Sequence, residues 1–456
     1  MLNDLPPEIL HLIARDLGSK ALYHLVSSSR RLHTVFQRSL YTDVTLYESE
    51  SKDQTVNIFL YAVIRIPRLA SYVRSLKVKS WDTDNANNER YPQKIGFDGN
   101  LVYKIVGERT GYSEQERSKW LEDLERDNSD AWLALLIPQL KQLRKLSLIW
   151  PCGSYYVLDM LEKVAIEEEP VFPHLKEAYA AWWDSEGGFQ SHYMHAFFNF
   201  PSMRKVGCYM LKEYERHDDD EYEFESDDSE LPKRETLSQQ CSNITDIDLQ
   251  DSNAGEGMRE WIQACKALKS FRVVHGAGVV SGDHFQPRKI YESLSLQKST
   301  LESIWVEAHD GVYIDTDDEW MGSFVGFTAL KLICASLPNL VGFDDGNLPV
   351  RKLRGVLPSS LETLYVSVDR EESFNRAIDQ LVELAASKSF PKLAAIHLEY
   401  YHLREPKNAT RLEWLEQRCQ EAGVLCVPHD SKGWVQGEKQ MMEVIWPYNE
   451  ASLLGW

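Results

Sequence analysis

A short apolar motif returns along this chain about every thirty residues, and that recurrence restricts the possible folds more than any other feature. Each copy has an apolar or Phe-Pro lead, a Leu two or three residues on, and a short run of alternating apolar positions. Clear copies are IPRLASYVRSLKV (66–78), IPQLKQLRKLSLIW (137–150), FPHLKEAYAAWW (172–183), STLESIWVE (299–307), LPSSLETLYVSV (357–368) and FPKLAAIHLEY (390–400). The period-two alternation predicts a half-buried strand in each. One inward residue per strand aligns the set: Val44, Leu76, Leu146, Ala178, Val206, Ile247, Phe271, Ile304, Ile333, Leu364 and Ile396. Successive spacings run from 24 to 33 residues, with two exceptions of 70 and 41. The 41 contains an acidic run. The 70 is either two units or one unit with an insertion around 81–118.

Amphipathic helices are expected between the strands. Ser154 is placed to cap one with Val157, Leu158, Leu161, Val164 and Ala165 on its apolar face. Met258, Trp261, Ile262 and Cys265 fit a second, and Phe374, Ala377, Ile378, Leu381 and Ala385 a third. Asn408 is placed to cap a last helix through Leu412, Leu415 and Cys419, which Gly423 stops before a strand at Val424 to Val427. Strand and helix alternating at this period predict an α/β solenoid, a horseshoe with parallel strands on its concave side and helices outside. No unit buries its apolar face alone, so the stack shares one core.

The first forty residues follow a different pattern. Asp4 is placed to cap a helix opened by Pro6 and Pro7, with Ile9, Leu10, Ile13 and Leu17 on one face. Gly18 ends it, and Ser19 is placed to cap a second helix carrying Leu22, Leu25 and Val26. After the polar run Ser27-Ser28-Ser29, Leu32, Val35, Phe36 and Leu40 make a third stripe. Three such short helices are marginal alone and call for a partner surface.

The segments LPPEILHLIARDL, ALYHLVSSSRRLHTVF and RSLYTDVTL resemble an F-box, including the exit common in fungal F-box proteins with irregular leucine-rich repeats. The stretch FTALKLICASLPNL followed by LPSSLETLYVSV resembles the repeat domains of the same family. The resemblance implies a substrate receptor of an SCF-type cullin ubiquitin ligase, with a Skp-family adaptor bound at Leu5, Pro6, Ile9, Leu10, Ile13, Leu17, Leu22, Leu25 and Leu32. Ser27 and Ser28 stand where that family usually has aliphatics. The alternative is an interaction scaffold acting outside a ligase. The expected organisation is an F-box over 1–42, a solenoid over 43–430 with an acidic disordered insertion about 213–235, and a cap or tail over 431–456 carrying Trp434, Trp446, Tyr448 and Trp456.

Charge and composition narrow the partners. The chain has 456 residues and a formal net charge of −20, and Glu213 to Glu230 alone holds eleven acids against one Arg. Self-repulsion and few aliphatics favour disorder there. No Lys/Arg cluster is found, which disfavours nucleic acid. No apolar run reaches membrane-spanning length, and the start lacks a secretory pattern. The seven scattered cysteines show no zinc spacing and suit a reducing intracellular compartment, cytoplasmic or nuclear.

No catalytic constellation, metal site or cofactor is expected. The run HGAGVVSG (275–282) lacks the continuation of a dinucleotide loop and reads as a repeat loop. His192 and His195 have no third ligand at zinc spacing. The 13 tryptophans remain, and Trp81, Trp182, Trp183, Trp305 and Trp320 lie in or just after repeat strands. Near them stand Asp82, Asp184, Asp315, Asp317, Asp318 and Glu319. Such a rim suits a target peptide with basic and apolar groups.

Overall fold

The computed structural model describes residues 2–47, 55–81, 83, 98–108, 111–184, 187–213, 236–276, 285–308, 320–344, 348–368, 371–403 and 405–429. The acidic stretch from 214, the glycine loop 277–282, the tail from 431, and Asp82, Asp315, Asp317, Asp318 and Glu319 lie outside the described residues. The described residues divide into two compact units, one within 2–183 together with Asn199–Met203, the other Asp184–Phe198 together with those within 204–429.

The first unit opens with three helices, α1 (Pro7–Arg15), α2 (Ser19–Ser28) and α3 (Arg30–Thr42). Four parallel strands follow: β1 (Asp43–Leu46), β2 (Ser75–Val78), β3 (Lys145–Trp150) and β4 (Glu177–Trp182). Val44 pairs with Leu76, Leu76 with Leu146, and Leu146 with Ala178, so the positions aligned from sequence share one row. Between β1 and β2 lie α4 (Thr55–Arg65) and α5 (Pro67–Ala70). Because β2 pairs directly with β3, the 70-residue spacing is one unit with an insertion. That insertion carries α6 (Gly99–Gly107), α7 (Glu114–Glu125) and α8 (Ser129–Leu136) and runs past the expected limit of 118. Helix α9 (Tyr156–Ala165) joins β3 to β4.

The second unit repeats the scheme. Short β5 (Phe189–Gln190) precedes α10 (His195–Asn199) and β6 (Lys205–Tyr209), and β5 pairs with β7 (Leu211–Lys212). The main parallel sheet then runs through β8 (Asp246–Ser252), β9 (Ser270–His275), β10 (Ser303–Ala308), β11 (Leu332–Ser336), β12 (Thr363–Val368), β13 (Ala395–Tyr400) and β14 (Leu425–His429). Val206, Ile247, Phe271, Ile304, Ile333, Leu364 and Ile396 pair in that order. All are buried, while the residues on either side alternate to a half-exposed face over most of these strands. Interleaved helices are α11 (Arg259–Ala264), α12 (Pro287–Leu294), α13 (Leu337–Val341), α14 (Leu353–Val356), α15 (Glu371–Ala385) and α16 (Pro406–Ala422). Each unit is thus mixed α/β with an all-parallel sheet, as the alternation predicts.

Several helix starts differ from expectation: α1, α2 and α16 open without a side-chain cap, and α9 takes its cap from another helix. Pro6, not Asp4, sits at the start of α1, and Asp4 belongs to a preceding 3-10 turn. Gly18 precedes α2, so Ser19 is its first helical residue. Ser154 does not cap α9: its hydroxyl donates to Asp130 Oδ1 at 2.7 Å. Asp130 Oδ2 itself accepts from the Tyr155 and Tyr156 amides at 2.8 and 2.6 Å, supplying the cap from a neighbouring helix. Asn408 lies inside α16 and its amide donates back to His402 O at 2.9 Å. Gly423 ends that helix with φ +72°, as expected.

Glu213 also departs from expectation. The acidic run was expected to be disordered from its first residue, yet Glu213 is buried beside β7. Its Oε2 accepts from the Glu256 and Met258 amides at 2.9 and 3.1 Å. Gly257 between them has φ +74° and would drive a Cβ into the Lys289 backbone, so glycine is required at that turn. Burial pushes the Glu213 carboxyl up to about 7 against the pull of those two amides. Below that value it is progressively protonated while an unfolded glutamate stays ionised. The folded state therefore gains relative to the unfolded one as pH falls from about 7 towards ~4.3.

Candidate functional site

The three N-terminal helices build a small core of their own from Leu10, Ala14, Leu22, Leu32 and Phe36. Leu2, Leu5, Leu17, Leu25, Val26, Val35 and Leu40 pack around it. Arg31 Nη2 donates to Leu5 O at 2.7 Å and ties the entry of α1 to α3. Ser29 caps α3 by accepting from the Leu32 amide, whereas Ser27 and Ser28 bond back to the Tyr23 and Leu25 carbonyls.

The nine sequence-derived docking residues therefore divide into three groups. Leu10, Leu22 and Leu32 are buried and hold the helices together. Leu5, Ile13, Leu17 and Leu25 are half-buried. Pro6 and Ile9 are exposed, Ile9 to 42%. Leu12, exposed to 52%, joins them at i+3 from Ile9. Sequence reasoning missed Leu12 because it followed the face that packs inward.

The five tryptophans divide between the two units. Trp81, Trp182 and Trp183 belong to the first unit, Trp305 and Trp320 to the second. Trp81 is only 4% exposed, with its indole donating to Asp130 Oδ1 at 3.0 Å and its ring edge-on to Trp150. It is a core residue and offers nothing to a target. Trp183 is 51% exposed, tilted 6.2 Å from the half-buried Trp182, and Asp184 follows it. Trp320 is half-buried with the Arg351 guanidinium at 3.7 Å and that of Arg288 at 5.6 Å from its ring. Cations on the ring already satisfy its quadrupole.

Trp305 belongs to the best-defined polar surface of the second unit. On the half-exposed side of the sheet, Asp248, Arg272, Trp305, Cys334, Tyr365 and His397 pair in register across β8 to β13. The Arg272 guanidinium lies 4.4 Å from the Trp305 ring, and Trp305 lies 5.1 Å from Tyr365. Tyr365 stacks on His397 at 3.8 Å, and His397 Nδ1 meets His429 Nε2 at 2.9 Å. Carboxylates border this row: Glu307 accepts from the Trp305 indole at 2.6 Å and from the Cys334 thiol at 3.2 Å, and Glu399 lines the same depression. Burial and Glu307 hold the Cys334 thiol well above its usual range, so it is not an activated nucleophile. Among the described residues no group of three His, Cys, Asp or Glu could hold a metal ion. An aromatic platform bordered by carboxylates suits a planar or cationic side chain of a protein ligand.

The histidine pair predicts a pH dependence. An N–H···N bond needs one of the two facing nitrogens unprotonated, so protonating both rings breaks it. Burial lowers both, His397 to about 4 with the adjoining His429 adding to the shift. Since the folded value lies below the unfolded ~6.5, the unfolded state takes up protons first as pH falls. The pair's contribution to stability is expected to be full above ~6.5 and to decline as pH falls towards about 4, opposite to that of Glu213. Thermal melts across that range, compared with a His397→Gln variant of flatter profile, check it. Identical slopes for the two proteins would count against the assignment.

Sequence reasoning also missed a basic cluster, since its members are far apart in the chain. Arg74, Arg144 and Lys176 occupy the same place at the entry to β2, β3 and β4. Each later amide donates to the carbonyl of the one before, at 2.7 and 2.8 Å. Lys77, Lys79 and Lys145 stand close by: Lys79 and Lys145 push the half-buried Lys77 ammonium further down, to about 8, after burial itself.

A leucine-rich repeat domain model matches residues 223–435. No curated protein matches the chain. The matched span covers β8 to β14, the strands whose inward residues pair one for one, and the first forty residues lie outside it. The chain thus carries a leucine-rich repeat domain, an architecture suited to protein interaction.

Proposed function

We propose that the chain is an F-box substrate-recognition subunit of an SCF-type ubiquitin ligase. Its N-terminal helices bind a Skp-family adaptor, and through it a cullin, while the repeats hold a target protein for ubiquitination. One observation carries the reading: α1 to α3 bury five residues among themselves and leave Pro6, Ile9 and Leu12 outward. Exposed aliphatics beside so small a core fit a module completed by another polypeptide. The LPPEIL opening supplies the chemical identity of that partner by resemblance.

The leucine-rich repeat match supports the other half of the reading, a protein-binding surface. The chain makes and breaks no bond itself, and needs no cofactor. Its contribution is to raise the effective concentration of target lysines near a charged conjugating enzyme, in the cytoplasm or nucleus. The test is co-elution of the purified chain with a Skp-family adaptor on a sizing column. A stable complex is expected. Separate elution at micromolar concentration removes the ligase and leaves an interaction scaffold that works outside it.

A further inference from the structure

The strand-entry column differs between the units in a way that points to a partner. In the second unit the equivalent positions are Arg204, Thr245, Lys269, Glu302, Lys331, Glu362 and Ala394, and the contrast lies in the stretch from Lys269 to Glu362. There the signs alternate and neighbours neutralise one another: Lys269 Nζ lies 3.1 Å from Glu302, and Lys331 Nζ 2.7 Å from the same carboxylate. In the first unit the column is Arg74, Arg144 and Lys176, all of one sign. Burial, Arg144 and Arg38 all press the Arg74 guanidinium downward.

The adjoining strand residues reinforce the sign. Lys77, Lys79 and Lys145 lie on the half-exposed side of β2 and β3, with the Lys145 ammonium 4.6 Å from the Tyr179 ring. From 42 to 47, 74 to 79, 144 to 149 and 176 to 181, the only carboxylates are Asp43 and Glu177, against six cations. This happens in a chain whose formal net charge is −20. Like charges held in one column repel, and an anion placed along them relieves that repulsion.

We propose that this strand-entry column and the lysines beside it bind an acidic segment of a protein partner. An extended acidic peptide crossing β2 to β4 fits the layout, since every second carboxylate along it faces the row of cations. The inference deepens the receptor reading by naming the charge of the target. It does not depend on the adaptor, and its test uses neither adaptor nor ligase.

The test is fluorescence anisotropy of the full chain with a labelled ten-residue Asp/Glu peptide at low and physiological salt. Binding that weakens with salt is expected, and an Arg74→Glu/Arg144→Glu variant should weaken it at least about tenfold. Lys269→Glu/Lys331→Glu, charge reversals at two equivalent places in the second unit, is the matched control and should leave affinity within about twofold. Circular dichroism melts establish that all variants are folded. If the charge-reversal variant misfolds, Lys77→Gln/Lys79→Gln serves in its place and should still weaken binding several-fold. No binding at low salt, or an equal loss from the Lys269→Glu/Lys331→Glu control, overturns the proposal. Tighter binding of a single-stranded RNA of equal charge also overturns it, in favour of a nucleic-acid surface.

Discussion

Replacing Asp130 by Ala is expected to cost at least ~3 kcal/mol of the stability of the first unit. The side chain is 2% exposed and satisfies four donors at once: the Trp81 indole, the Ser154 hydroxyl, and the Tyr155 and Tyr156 amides. Burial pushes its carboxyl up and those donors oppose the shift. Deletion orphans all four donors, in a core that also holds Trp120 and Trp150. Two of them open α9, so its first turn loses its cap. Asp130→Asn should cost less than Ala, because one oxygen still accepts while the amide nitrogen meets the N–H groups of α9. Urea unfolding followed by tryptophan emission, which reports on both units, checks it through the change between the Asp130 variants and the parent chain. A loss under ~1 kcal/mol for the Ala variant would mean that water replaces the carboxylate.

The largest effect on binding is expected from Ile9→Asp combined with Leu12→Asp. Burying each aliphatic side chain against a partner is worth roughly 1.5–3 kcal/mol, and a carboxylate in the same place costs more. Adaptor affinity should fall by at least ~100-fold in a calorimetric or interferometric titration. Both residues are exposed in the free chain, so helicity and melting temperature should barely change. Leu10, Leu22 and Leu32 are poor choices for this test: each is in the core of the helices, and a charge there would unfold the module. Retained affinity in the double variant would place the adaptor elsewhere or nowhere.

The strand framework was legible because it depends on a local period. Alternating apolar residues mark the inward row, and eleven positions chosen on that basis pair in register within each unit. Other features depend on residues far apart, and there the reading failed. Nothing next to Asp130 in the chain announces that it caps α9 and fixes Trp81 across 49 residues. Composition around Glu213 predicts disorder, yet two amides more than forty residues on donate to its carboxylate. The split of the docking residues into core and surface was equally hidden, since both sets share the same aliphatic types. The basic column could have been found: reading two places before each aligned residue gives Arg74, Arg144 and Lys176 directly.

The alternating Lys269, Glu302, Lys331 and Glu362 column limits how this chain can vary in length. Excising the single repeat that carries Glu302 would bring Lys269 beside Lys331 and set two ammonium groups against each other. Excising two consecutive repeats restores opposite neighbours. Insertions and deletions within this span are therefore tolerated more readily in pairs, a counting rule written in charge and not in hydrophobic pattern.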